Sequence, residues 1–174
     1  MNDIYFLHPS SHILTIGNYY KPIYNIQKAD KILDIYGNIC NVVCLIKINC
    51  KNEKCYMVNI DDTIVAPYQP IKINSEWTFP ITHKLPTLYN CACVFSLLLD
   101  KSHIIIVNNT IACTLAHHIS DNDIVEHPYF GTNNIIDDLK NNKDFKNGFI
   151  ILDMDSFITN PNTNLTTRIE NSLL

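Results

Sequence analysis

Apolar positions along this chain fall in short runs and alternations, and helical stripes are nearly absent. A period of two in β-branched and aromatic residues marks strands. Ile13 to Ile16 is a short run closed by the turn Gly17-Asn18, and Ile32 to Ile35 is closed by Gly37-Asn38. Ile39 to Ile48 predicts a longer strand with Cys40, Val43, Cys44, Leu45, Ile46 and Ile48 as its apolar positions. The polar turn Asn52-Glu53-Lys54 then leads into Cys55 to Ile60, so these two strands are expected to form a hairpin. Further strands are expected at Thr63 to Val65, Ile71 to Ile73, Cys91 to Leu99, His103 to Val107 and Thr110 to Leu115. Asn108-Asn109 turns between the last two, because Asn tolerates the left-handed conformation such a turn needs. Between Pro67 and Pro86 each proline removes a ladder donor, which restricts that stretch to edge strand or loop.

One helix is predicted. Thr132 or Asn133 caps it, Ile135, Ile136 and Leu139 share a face, and Asp137 and Asp138 are expected in its first turn, where the helix dipole favours negative charge. It ends at Asn141-Asn142. Asn147-Gly148 then turns into Phe149-Ile150-Ile151-Leu152, expected as a short buried strand, and the polar tail from Asn160 onward is expected to fray. No repeat or linker divides the chain.

Length and composition bound the rest. At 174 residues with 47% hydrophobic and 17% charged positions, the chain has the material for one packed domain and too little charge for disorder. Lys and Arg number 13 against 17 Asp and Glu, a net charge of −4, which lacks the positive excess that phosphate backbones attract. Nucleic acid is not expected as a partner. The run Val94 to Leu99 is broken by Asp100-Lys101-Ser102-His103, so no stretch is expected to span a bilayer, and the start Met1-Asn2-Asp3 lacks a basic leader. A cytoplasmic location without membrane contact follows as an expectation. The seven cysteines are an odd number and read as reduced, buried thiols. Abundant Asn, Ile, Lys and Tyr beside four Gly is the signature of AT-rich coding.

A polar group around Cys113, Thr114, His117, His118 and His127 could supply chemistry in two ways. Cys113 four residues before His117 could be a thiol with its base, or Cys113, His117 and His127 could bind zinc. Against zinc, Cys91-Ala92-Cys93 is a pair without a matching second pair, and no metal or cofactor is expected. His127 before Pro128 instead fixes a turn, with Tyr129 and Phe130 anchoring the helix. Trp77, the sole tryptophan, is expected to be a half-buried packing residue that could also meet a ligand. Asp61-Asp62 and Asp121-Asn122-Asp123 lack the carboxylate spacing of a calcium loop and read as turns.

The order of segments resembles the Hint superfamily of hedgehog autoprocessing domains and inteins. Lys21-Pro22-Ile23 through Ala29-Asp30-Lys31-Ile32-Leu33 resembles the early Hint segment, with Ala29 where the family has glycine. Val65-Ala66-Pro67-Tyr68-Gln69-Pro70 resembles the Thr-Pro-x-His-Pro block, and Val94-Phe95-Ser96-Leu97 with His103 to Asn108 resembles the late strand pair. Within the superfamily the chain is similar to the Vint variety through Trp77-Thr78-Phe79-Pro80, Thr114-Leu115-Ala116-His117 and His127-Pro128-Tyr129-Phe130-Gly131-Thr132. The resemblance implies an all-β, horseshoe-like arrangement of short strands with one small C-terminal helix. It makes residues 1–10 an N-terminal segment, 11–168 the domain and 169–174 a frayed tail.

Hint chemistry begins when a Cys or Ser attacks the preceding carbonyl, and the corresponding segment here, Tyr5 to Ser11, offers only Ser10 and Ser11. The family's activating Thr and His fall on Ala66 and Gln69, which cannot bond to or protonate a leaving amine, and its terminal His-Asn pair falls on Ala112-Cys113-Thr114. The resemblance therefore implies a catalytically degenerate module that binds a protein or serves as a structural part, with Thr114, His117, His127, Tyr129 and Trp77 as candidate contact residues. The alternative is an active self-processing or thiol-dependent enzyme using Ser10, or Cys113 with His117.

Overall fold

The computed structural model describes residues 2–170. Fifteen strands and one α-helix follow in the order β1 (His12–Thr15), β2 (Tyr19–Pro22), β3 (Lys31–Leu33), β4 (Ile39–Asn49), β5 (Lys54–Ile60), β6 (Thr63–Val65), β7 (Ile71–Ile73), β8 (Glu76–Thr78), β9 (Thr87–Asn90), β10 (Cys93–Leu99), β11 (Ile104–Val107), β12 (Thr110–Cys113), α1 (Asn133–Lys140), β13 (Phe149–Asp153), β14 (Phe157–Thr159) and β15 (Thr166–Ile169). The fold is all-β with one small helix. Its main sheet runs β10-β4-β3-β1-β11-β12-β7-β8, with β13 added to β4 and β2 to β1.

β4 organises the interior. Paired antiparallel with β10, it serves two apolar clusters, one on each face of the sheet. Cys44, Ile46 and Ile48 enter one cluster with Val94 and Leu98; Leu45 enters the other with Phe95, Leu97 and Leu99. Strict alternation would send Cys40 and Val42 to the side of Cys44, yet they pack with Leu45. The cause is a bulge: Leu98 opposes Cys44 and Leu99 opposes Val42, which leaves Val43 unpaired and switches the strand's faces.

The expected hairpin between Ile39–Ile48 and Cys55–Ile60 does not form. A strand has two edges, and over Leu45 to Asn49 those of β4 are filled by β10 on one side and parallel β13 on the other. β5 turns away and pairs with β6 and β9. The later hairpin is as expected, β11 and β12 turning through Asn108 at φ 51°. β13 is buried on one face only, with Ile150 and Leu152 inside and Phe149 and Ile151 outside.

Three further expectations change at the ends of the chain. Thr132 caps α1 by accepting from the Asn134 N–H, so Asp137 and Asp138 fall in the second turn; Asp138 instead accepts from the Tyr129 hydroxyl at 2.7 Å and the Ile169 N–H at 2.9 Å. The tail is ordered into β15, with Thr166 and Ile169 buried, and only residues 171–174 of the expected frayed tail lie outside the described residues. Ile4, Tyr5, Phe6 and Leu7, expected outside the domain, are buried within its core because four successive large apolar side chains lie between β10 and β6.

Candidate functional site

The segment Tyr5 to His8 runs between the edges of β10 and β6. Leu7 exchanges backbone hydrogen bonds with Phe95 at 2.8 and 3.0 Å, the Ala66 N–H donates to the Phe6 carbonyl, and the His8 N–H donates to the Ile64 carbonyl. The Ser96 hydroxyl donates to the Tyr5 carbonyl. This brings Tyr5 and Ala66 to one corner, and Gln69, joined to Ala66 by a turn, completes it with Cys113 at the end of β12.

Each group at the corner is buried and engaged. Gln69 is 2% exposed, and its amide donates to the Cys113 carbonyl at 2.9 Å and the Pro70 carbonyl at 3.2 Å. The Cys113 sulfur lies 3.9 Å from the same nitrogen, and complete burial pushes its thiol far above the ordinary value. Burial likewise pushes the Tyr5 phenol up, with the nearby Cys113 and Asp3 adding to the effect; its hydroxyl reaches the Val125 carbonyl at 3.4 Å. The remaining space is a cavity of about 10 Å³ lined by Tyr5, Gln69, Ser96, Cys113 and Thr114, room for about one water.

Of the histidines that accompany Cys113 in the sequence, His118 is exposed, and His117 and His127 are packed inside. His127 donates from Nε2 to Asp3 Oδ2 at 2.6 Å, while its Nδ1 accepts from the Tyr129 and Phe130 N–H groups. Both ring nitrogens are thereby used. Asp3 also accepts from the N–H and hydroxyl of Thr166; burial pushes its carboxyl up, but the bonds from His127 and Thr166 outweigh that and hold it below the usual range. The Tyr5 ring stacks on His117 and meets His127 edge-on. His117 accepts from the Ile119 N–H through Nδ1, its Nε2 is buried without a partner, and burial brings it down to about 4. The zinc set Cys113, His117 and His127 does not assemble, since His127 has no free lone pair, and no cluster that could hold a metal exists among the described residues.

Of the other candidates, Ser10 stands in an exposed turn with its hydroxyl 2.7 Å from His8 Nδ1, which also accepts the Ser10 N–H. Burial brings His8 down from its ordinary value. Ser11 is buried with an unpartnered hydroxyl, and neither serine lies at the Gln69 corner. Trp77 is half-buried on the edge strand β8 beneath the Lys72 ammonium, 5.1 Å from the ring centre. Thr114, His117, His127 and Tyr129 are 2–7% exposed, so these four proposed contact residues face inward. Beside them opens a larger hollow of about 230 Å³ lined by Asp34, Tyr36, Ser102, His103 and His117. Burial, with His118 nearby, brings His103 down to about 4.

The family described as Vint, a Hint-domain family, matches residues 7–168, nearly the whole chain. The chain is a Vint-type Hint domain. No curated protein sequence matches it. Among solved structures it is similar to the gp41-1 intein, at 15% identity over 64% of this chain and 99% of that one, with a TM-score of 0.49. It is also similar to a bacterial intein-like domain from Clostridium thermocellum, at 13% identity over 64% of this chain and 99% of that one, TM-score 0.48. The Ssp DnaB mini-intein variant M86 is similar at 12% identity over 66% of this chain and 97% of that one, TM-score 0.48.

In this Hint domain the corner formed by Ala66 and Gln69 is completed by Tyr5, which the sequence reading passed over in favour of Ser10 and Ser11. The signal was present in Ile4-Tyr5-Phe6-Leu7, whose four consecutive apolar residues mark buried chain. Asp3 and Ser96 were missed as well, because their partners lie 163 and 91 positions away and no local pattern announces them.

Proposed function

We propose that this Hint domain does not rearrange its own backbone and serves as a structural, protein-binding module. The Tyr5–Gln69–Cys113 corner carries the reading. An acyl shift needs a nucleophile able to lose its proton near neutrality and an acid able to protonate the departing amine. The hydroxyl and thiol at this corner are held protonated by burial. Gln69 cannot be an acid, its amide hydrogens are bound to carbonyls, and Ala66 contributes a methyl group. The binding half of the proposal rests on the surface: Tyr56 and Leu88 oppose each other across β5 and β9, each about half-exposed, and Leu85, just ahead of β9 in the chain, is 82% exposed.

A second reading has one observation in its favour, the contact between Ser10 and His8, a hydroxyl beside an imidazole that burial brings down from its ordinary value. The local turn accounts for it, because the same imidazole nitrogen caps the Ser10 N–H. The experiment that separates the readings joins a reporter domain ahead of Met1 and follows intact mass with hydroxylamine, which cleaves esters and thioesters. The expected result is full-length protein in both the native sequence and Ser10→Ala. Release of the reporter from the native sequence, lost in Ser10→Ala, overturns the proposal in favour of self-processing.

A further inference from the structure

Cys50, Cys55 and Cys91 belong to the same apolar cluster as the corner described above, with the partly exposed Cys93 near them. Cys50 closes β4, Cys55 lies at the start of β5, and Cys91 precedes β10. Their backbones are tied together: the Cys50 N–H donates to the Ala92 carbonyl at 2.8 Å, the Cys91 N–H to the Glu53 carbonyl at 2.8 Å, and the Glu53 N–H to the Cys50 carbonyl at 3.3 Å. Cys55 opposes Tyr89 in the β5–β9 pair, and Cys91 follows the end of β9. The Cys50 thiol lies between the other two, in hydrogen-bonding reach of both. All three side chains sit at the margin of the core, 7–9% exposed, beside the exposed turn Lys51–Glu53.

We propose that Cys50, Cys55 and Cys91 form a thiol site that takes up oxidising equivalents from a hydroperoxide and closes a disulfide centred on Cys50. The Cys55 thiolate attacks a peroxide oxygen, the O–O bond breaks, and a sulfenic acid forms on Cys55 with release of water or an alcohol. The Cys50 sulfur then displaces hydroxide from that sulfenic sulfur, its own proton leaving with the hydroxide as water. Two thiols are oxidised and one peroxide is reduced. Cys91, on the other side of Cys50, can take the bond by exchange, its thiolate attacking the Cys50 sulfur and returning Cys55 to the thiol.

The arrangement separates roles among the three sulfurs. A hydrogen bond from Cys50 favours the thiolate on Cys55 and lowers it from the ordinary thiol value, while the same contact raises Cys50. Burial, followed by the nearby Cys50, pushes Cys91 up to about 11. Cys55 is therefore the sulfur that reacts first, and Cys50 and Cys91 are those that resolve. Cys44 and Cys113 are pushed up by burial without thiol partners and stand outside the reaction.

The test treats the reduced full-length chain with hydrogen peroxide, blocks remaining thiols and maps linked peptides by mass spectrometry. The expected product is an intramolecular disulfide containing Cys50, with intact mass lower by two hydrogens and restored by dithiothreitol. Cys50→Ala is expected to lose the linkage, Cys55→Ala to slow oxidation at least about tenfold, and Cys44→Ala to leave it unchanged. A disulfide that excludes Cys50, a linkage between two chains, or no linkage in the native protein overturns the proposal. Mapping the native sequence keeps the test decisive even where a substitution disturbs folding.

Discussion

Asp3 shows how much depends on single buried groups. Its carboxylate receives the His127 Nε2–H, the Thr166 N–H and the Thr166 hydroxyl, joining the first residues of the chain to the His127 turn and to β15. Asp3→Ala leaves those donors buried without an acceptor, and the expected loss is about 3 kcal/mol or more in denaturant unfolding. Two histidines predict a pH dependence. His103 and His117 are brought from 6.5 to about 4 in the folded chain, so between those values the unfolded chain binds more protons. Stability is therefore full above about pH 6.5 and falls as the pH is lowered towards about 4. His103→Asn and His117→Asn each flatten that slope in a series of thermal melts. Asp3 adds a further loss below its unfolded value of 3.8, since its folded value is lower still.

At the scale of elements, the turn that launches α1 is a close-packed junction. A methyl group on Gly131 would meet the His127 carbonyl at 2.8 Å and the His117 ring at 2.9 Å, so Gly131→Ala is expected to cost about 1–3 kcal/mol. Thr132→Ala removes the cap on Asn134 together with the hydroxyl's bonds to the Pro128 and Tyr129 carbonyls, and is expected to cost about 1 kcal/mol, measured the same way. What the sequence could reveal here followed from locality. The α1 cap, the Asn108 turn and the strands around them are set by neighbouring residues, and they were legible. The partner of β4 was not, because Leu45 to Asn49 pairs with residues near 95 and near 150. A polar turn after an apolar strand suggests a hairpin, and nothing local reports that both edges are already filled. The bulge at Val43 was hidden for the same reason.

For the whole molecule, family and fold class were readable from blocks spread over most of the chain. The corner was readable in part: Ala66 and Gln69 could be named from the Thr-Pro-x-His-Pro resemblance, but their neighbour Tyr5 emerges only when the first segment is threaded between β6 and β10. His117, His127 and Tyr129 are candidate contact residues in the sequence, with His127 also expected to fix a turn and Tyr129 to anchor the helix; their partners Asp3, Ile119 and Asp138 turn them inward. The reading of the molecule as a non-processing module rests on the closure of the Tyr5–Gln69–Cys113 corner. Alkylation of the native protein with iodoacetamide between about pH 6 and 9, resolved by peptide, measures it directly. The prediction is that Cys113 stays unmodified across the range and reacts only once the chain is unfolded in denaturant. Modification of Cys113 in the folded protein at or below neutral pH, ahead of the partly exposed Cys93, would contradict it.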